Sequence, residues 1–140
     1  MRKNGFSLIE LVVTVGIIAI LAAIAIPAYS AYTRNANRSD ATRTMTLDAQ
    51  ALERCYSQTF AYTPCAGAAA GPLASAQGYY TVTIAVTTAP TASYTISAVP
   101  LKSPQTEDSS CALFTLNSAG TQFAQTSSGV ANTATCWGST

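Results

Sequence analysis

The sequence predicts an α+β fold, in which one long amino-terminal helix packs with its second half across a small antiparallel sheet of three to four strands. Three observations predict it. No residue from Leu11 to Thr33 is charged, a stripe of apolar residues at helical spacing follows from Ala41 to Tyr56, and beyond Tyr79 apolar residues alternate with Thr and Ser. The 140 residues suit one modest domain. Only 9% are charged, against roughly 25% in an average soluble domain. Histidine is absent, which excludes histidine triads, imidazole metal ligands and histidine proton relays. A formal charge of +1 argues against a broad electrostatic grip on nucleic acid.

The chain begins Met1-Arg2-Lys3-Asn4-Gly5-Phe6-Ser7-Leu8-Ile9-Glu10. Two cations ahead of an apolar stretch orient it with its start in the cytoplasm. As a helix, the 23 uncharged positions would span roughly 34 Å, enough for a hydrocarbon core of about 30 Å. Ile, Leu, Val and Ala occupy all sides, which suits lipid or the middle of a helix bundle. A secretory signal is one alternative, with Ala28-Tyr29-Ser30 as its cleavage site, but its apolar core would be shorter. A plain membrane anchor explains the length and not Glu10. A carboxylate entering hydrocarbon costs on the order of 3 kcal/mol, so Glu10 either finds a partner or rests at the lipid interface with no special role. Cleavage between Gly5 and Phe6 supplies the partner, because the new α-amine of Phe6 is a cation, on the same chain or a neighbouring copy. The dipole at the first helical turn favours the anion too. Pro27 cannot donate to the carbonyl of Ala23 and crowds it, which predicts a kink or local unwinding.

Charges return at Arg34, Arg38, Asp40 and Arg43, and no glycine or proline interrupts the chain before Pro64. Ala41, Met45, Ala49, Leu52 and Tyr56 then form one helical face, predicted to cover the chain's own sheet. Asp48 and Cys55 sit at its edge. Tyr29, Tyr32 and Ala36 point elsewhere, and the two tyrosines are expected either to face neighbouring molecules or to stand solvated without a partner. Residues 63–77 carry Pro and Gly without periodicity and read as a loop. Tyr80–Thr87 and Ser93–Val99 read as half-buried strands. Ala112–Leu116 and Thr121–Gln125 form a hairpin across Asn117-Ser118-Ala119-Gly120, and the tail reads as coil.

Four cysteines allow three pairings. Without histidine or a CxxC spacing they do not form a zinc site, and they fit an oxidising compartment. Cys55–Cys65 would bridge the end of the helix to the loop, and Cys111–Cys136 would close the far side of the strands. This is the favoured pairing.

Gly5-Phe6-Ser7-Leu8-Ile9-Glu10, with basic residues before it and the apolar run with Pro27 after it, resembles the class III signal of type IV pilins, of the type IVa, PilE-like kind. Closure of a segment ending Thr135-Cys136-Trp137 resembles the carboxy-terminal disulfide loop of the same family. The resemblance implies removal of a leader, residues 1–5, by a membrane prepilin peptidase, and N-methylation of Phe6. It implies packing of helices at a filament centre, with Glu10 aiding the docking of incoming subunits. Many pilins carry glycine at the position of Ala19, whereas this chain has Gly16 one turn earlier.

On this reading residues 6–33 are the membrane and assembly half of the helix, 34–62 its amphipathic half, and 63–140 the loop, sheet and disulfide-closed region. The precursor is expected in the inner membrane with its carboxy-terminal domain in the periplasm, and the mature chain in an extracellular pilus. Its partners are other pilin copies, the prepilin peptidase, the inner-membrane assembly machinery and, before assembly, lipid. Adhesion, twitching motility and DNA uptake are the outputs the resemblance implies. A minor pilin that captures a surface or DNA is the nearest alternative, although direct DNA binding is not expected, since Lys and Arg balance Asp and Glu from Arg34 onward. A type II secretion pseudopilin is another, but Glu107 and Asp108 are too few for the calcium loop of that group. No cofactor or metal is expected. No paired carboxylates with a cleft signature and no phosphate-cradling loop point to an enzyme.

Overall fold

The computed structural model describes residues 7–65 and 71–138. The chain divides into two compact units, Met1–Thr33 and Arg34–Thr140. Helix α1, Leu8–Thr59, contributes to both. In the second unit α1 is followed by strands β1 (Leu73–Ala74), β2 (Tyr80–Thr87), β3 (Ser93–Pro100), β4 (Leu113–Asn117) and β5 (Gln122–Gln125), then a short helix α2 (Thr133–Trp137). The strands form one antiparallel meander in the order β1-β2-β3-β4-β5.

The α+β architecture is the one the patterning predicts, with several local differences. The sheet has five strands rather than three or four, because Leu73 and Ala74, inside the expected loop, pair with Val82 and Thr81. Two residues are too short for periodicity to reveal. The helix ends at Thr59 rather than near residue 62, because Phe60 turns into the left-handed region with φ of 56°. The tail is not coil throughout. Ala131 bridges to Gln125, and α2 closes on Gly138 with φ of 67°, a conformation that glycine adopts without strain.

The period-2 pattern fixes which face of the sheet is buried. Tyr80, Val82, Tyr94, Ile96, Ala98, Phe114, Leu116 and Ala124 point inward, and Ala41, Met45 and Leu52 of α1 meet them. Ala49 and Tyr56 flank this core half-buried, so the sheet-facing stripe is the predicted one. Thr81, Thr83, Thr95, Ser97 and Thr115 carry the opposite face. The β4–β5 turn is set by Asn117, whose Oδ1 accepts from the N–H groups of Ala119 and Thr121 at 3.1 and 2.9 Å, and by Gly120 with φ of 76°.

Candidate functional site

From Leu8 to Thr33 the large apolar side chains of the helix are not covered by any described residue of its own unit. Leu8, Ile9, Leu11, Val12, Val13, Val15, Ile17, Ile18, Ile20, Leu21, Ile24 and Ile26 are all exposed, as are Tyr29 and Tyr32 at the far end. Among the described residues it is the one helix long and apolar enough to cross a membrane. Glu10 lies in its first turn and is the only charged residue described before Arg34. Thr14 Oγ1 donates to the carbonyls of Glu10 and Leu11, both at 2.9 Å, and Thr33 Oγ1 to those of Tyr29 and Ser30 at 2.8 and 3.0 Å. Both hydroxyls are thereby hidden from an apolar surrounding.

The helical assignment runs through Pro27 without a break. Gly16 is likewise helical, with open space around the place a Cβ would occupy. Gly5 and Phe6, the expected cleavage and methylation positions, lie outside the described residues.

In the second unit α1 is tied to the sheet by polar contacts that the sequence did not announce. Arg38 Nε and Nη2 donate to Asp108 Oδ2 and Oδ1 at 2.7 and 2.9 Å. The pair is enclosed, with side chains only 11% and 3% exposed, so water screens it little. Asp108 Oδ1 also accepts from the N–H of Ser110 at 3.2 Å, which orients the segment entering Cys111. Two residues along α1, buried Asp40 accepts from the Ser75 hydroxyl and from the N–H groups of Gln77 and Tyr79, the latter two at 2.9 and 3.3 Å. Ala76 N–H reaches Thr44 Oγ1 at 3.3 Å. One buried carboxylate thus takes up three donors of the β1–β2 turn and satisfies its own hydrogen-bonding needs by doing so.

Gln105, in the 3-10 turn Gln105–Glu107, is fully buried. Its Nε2 donates to Tyr80 Oη at 2.6 Å and to the carbonyl of Arg34 at 3.2 Å. Burial pushes the Tyr80 hydroxyl up to about 12, against a smaller lowering by the Gln105 amide. Burial chiefly, then the Glu53 carboxylate, raises Tyr94 as well, and the same two causes raise Tyr62, whose hydroxyl donates to Glu53 Oε1 at 3.1 Å. Asp48, the charged blemish at the edge of the stripe, is raised by burial.

Two disulfides complete the unit, Cys55–Cys65 and Cys111–Cys136. The first joins the last turns of α1 to the loop, and the second holds α2 against the segment entering β4. Trp137 Nε1–H donates to the Phe123 carbonyl at 3.0 Å, and its ring meets Phe114 edge-on.

An exposed apolar helix with one acidic residue in its first turn, followed in the chain by a disulfide-closed sheet unit, presents surfaces for association. Comparison with known proteins agrees. A family model for the prokaryotic N-terminal methylation motif matches residues 1–26. A second, described as type IV minor pilin ComP, DNA uptake sequence receptor, matches residues 27–115. The chain is similar to prepilin peptidase-dependent protein D of Escherichia coli (strain K12), 43% identical over 70 residues that make up 50% of this chain and 48% of that protein. It is also similar to fimbrial protein EcpC of Eikenella corrodens, 38% identical over 89 residues, 64% of this chain and 58% of that one. The chain thus spans about half the length of the curated relatives it matches. With the second family model covering more than half of its length, this chain belongs to the type IV pilins, in the ComP minor pilin family.

Proposed function

We infer that the chain is a subunit of a type IV pilus, held in the inner membrane by its apolar helix before assembly and buried by that helix in the filament afterwards. The observation that carries this reading is the run of exposed apolar side chains from Leu8 to Ile26 with Glu10 as its single charge. A helix so apolar on every side is stable only in lipid or among other helices. Cleavage between Gly5 and Phe6 frees a cationic amine one turn before Glu10, and methylation of Phe6 keeps that charge. Within a filament the amine of one copy neutralises Glu10 of another, so that processing licenses assembly. Pro27, lacking an N–H, leaves the Ala23 carbonyl without its helical donor and marks where the helix bends on leaving the bilayer. The partners are further pilin copies, a prepilin peptidase and the inner-membrane assembly machinery.

The test uses two variants of the full chain in cells that assemble it. Gly5→Ala is expected to accumulate as membrane-bound precursor. Glu10→Ala is expected to be cleaved normally yet to be missing from sheared fibres. Fibres that incorporate Glu10→Ala at the normal level would refute the charge pairing.

A second reading, in which the subunit also contacts DNA, is favoured by the family description and by one feature of α1. Arg43 and Arg54 are exposed and lie eleven residues apart, which places them on one helix face about 16 Å from each other. Two phosphate contacts make a weak, salt-sensitive grip. Replacing either arginine by alanine is expected to lower the salt slope of DNA binding by about 0.9. An unchanged slope would remove this surface from consideration.

A further inference from the structure

We propose that Phe60 is the projecting half of a head-to-tail contact between copies of this chain, and that its ring seats in the groove beside α1 of the next copy, between Leu47 and Trp137. The proposal rests on the filament reading above and names a side chain that makes one of the contacts between copies.

Phe60 closes α1 with φ of 56° and is the only non-glycine residue at positive φ among those described. A Cβ there crowds the backbone, and glycine is the usual occupant of the position after a helix. A bulky ring in this conformation calls for a compensating contact. Its own chain offers little. The side chain is 79% exposed, and its one described ring neighbour is Tyr56, met edge-on with centroids 6.5 Å apart.

The base beneath the ring is rigid. Tyr56 stacks on Tyr62 at 4.5 Å, Tyr62 meets Tyr94 edge-on at 5.0 Å, and the Cys55–Cys65 disulfide closes the segment around Phe60. A side chain held on such a base loses little freedom on docking.

The receiving surface is on the same molecule. Two adjoining cavities of about 410 and 640 Å³ share Thr46 and together run along α1. The first is walled by Leu47, itself 52% exposed, and by the Trp137 indole, with Arg43 also lining it. An aromatic ring suits this chemistry, because it meets leucine and tryptophan on its sides and offers a face to the guanidinium. Leu47 and Phe60 are thirteen residues apart, about 20 Å along the helix axis, so Phe60 does not reach this groove on its own chain. A knob and a hole at different places on one molecule produce a contact that repeats from copy to copy. Chains that all enter from one membrane share one polarity, which makes the repeat head-to-tail.

The experiment uses the full chain in cells that assemble it. With p-benzoylphenylalanine in place of Phe60, irradiation of sheared fibres is expected to join two copies, with the adduct on the Leu47–Trp137 groove of the second. Adducts confined to the same chain, or to other surfaces of a neighbour, would overturn the proposal. Phe60→Gly is expected to keep or raise the thermal midpoint of the monomer, and Leu47→Glu, on an exposed helix position, to leave it unchanged. Both are expected to be processed normally and to be recovered in fibres about tenfold less or worse. Wild-type recovery of Phe60→Gly would overturn the contact while leaving the filament reading intact. Absence of the wild-type chain itself from fibres would instead overturn the filament reading and the contact with it.

Discussion

Replacing Asp108 by asparagine leaves the Arg38 guanidinium enclosed without its counter-charge. An exposed ion pair contributes at most about 1 kcal/mol, but this one is bidentate at 2.7 and 2.9 Å, with side chains 11% and 3% exposed. Breaking one partner of such a pair costs about 3–5 kcal/mol, a large share of the roughly 5–15 kcal/mol that holds a domain together. Asparagine keeps one acceptor for the Ser110 N–H, so the expected loss belongs mainly to the stranded cation. The double variant Arg38→Met, Asp108→Leu removes both charges and is expected to recover most of it, to within about 2 kcal/mol of wild type. The assay is urea unfolding of the detergent-solubilised chain with disulfides intact. It follows the fluorescence of Trp137, the single tryptophan, whose ring packs on Phe114. The coupling energy comes from the four-member cycle. A loss below about 1 kcal/mol for Asp108→Asn, or a double variant no better than the single, would refute the claim that burial makes this pair decisive.

Removing Cys111–Cys136, which closes 25 residues, is expected to cost about 3.5 kcal/mol, and removing Cys55–Cys65, which closes 10, about 2.7 kcal/mol by the loop-entropy relation. Serine pairs at each site, compared by the same unfolding assay, check the order. Asp48 should behave in the opposite sense to a paired carboxylate. Its folded-state pKa is raised by burial, so the folded chain binds the proton more tightly, and stability falls as pH rises through the ordinary carboxylate range into the raised one. Asp48→Asn is therefore expected to raise the thermal midpoint at pH 7 and to lose that advantage below pH 3.8; an advantage independent of pH would remove the electrostatic explanation.

The parts of the fold that were legible in the sequence are those that repeat. The β2 strand occupies the predicted residues Tyr80–Thr87, and β3 differs from its predicted span by one residue, because alternation over seven or eight positions leaves one register. The stripe from Ala41 to Tyr56 was equally plain. Single residues that break a pattern were harder to read. Arg38 and Asp40 read only as the return of charge after the apolar run, yet Arg38 pairs with Asp108 and Asp40 holds the β1–β2 turn. A signal was available, since Arg38 stands three and seven residues before Ala41 and Met45 and so extends the same stripe. Its partner Asp108 is seventy residues away, and no local spacing connects the two. Gln105 gave no signal, because a polar residue in a turn is read as exposed until the packing around it is known. The short β1 and α2 depend on contacts with distant segments rather than on their own few residues.

The ties between α1 and the sheet differ in kind from one end to the other. Near Arg34, Arg38, Asp40 and Thr44 they are hydrogen bonds and one ion pair, toward Leu52 they are apolar contacts, and at Cys55 a disulfide ties the helix end to the loop that follows it. Tension applied along this stretch of helix would load the polar set first. Those bonds can open and re-form in water, whereas the apolar contacts around Leu52 keep the two pieces together and the sulfur bridge holds the helix end to its loop while they do. The sheet is therefore fastened like a hinged cover, able to give at its lower edge under strain and to close again without losing its place.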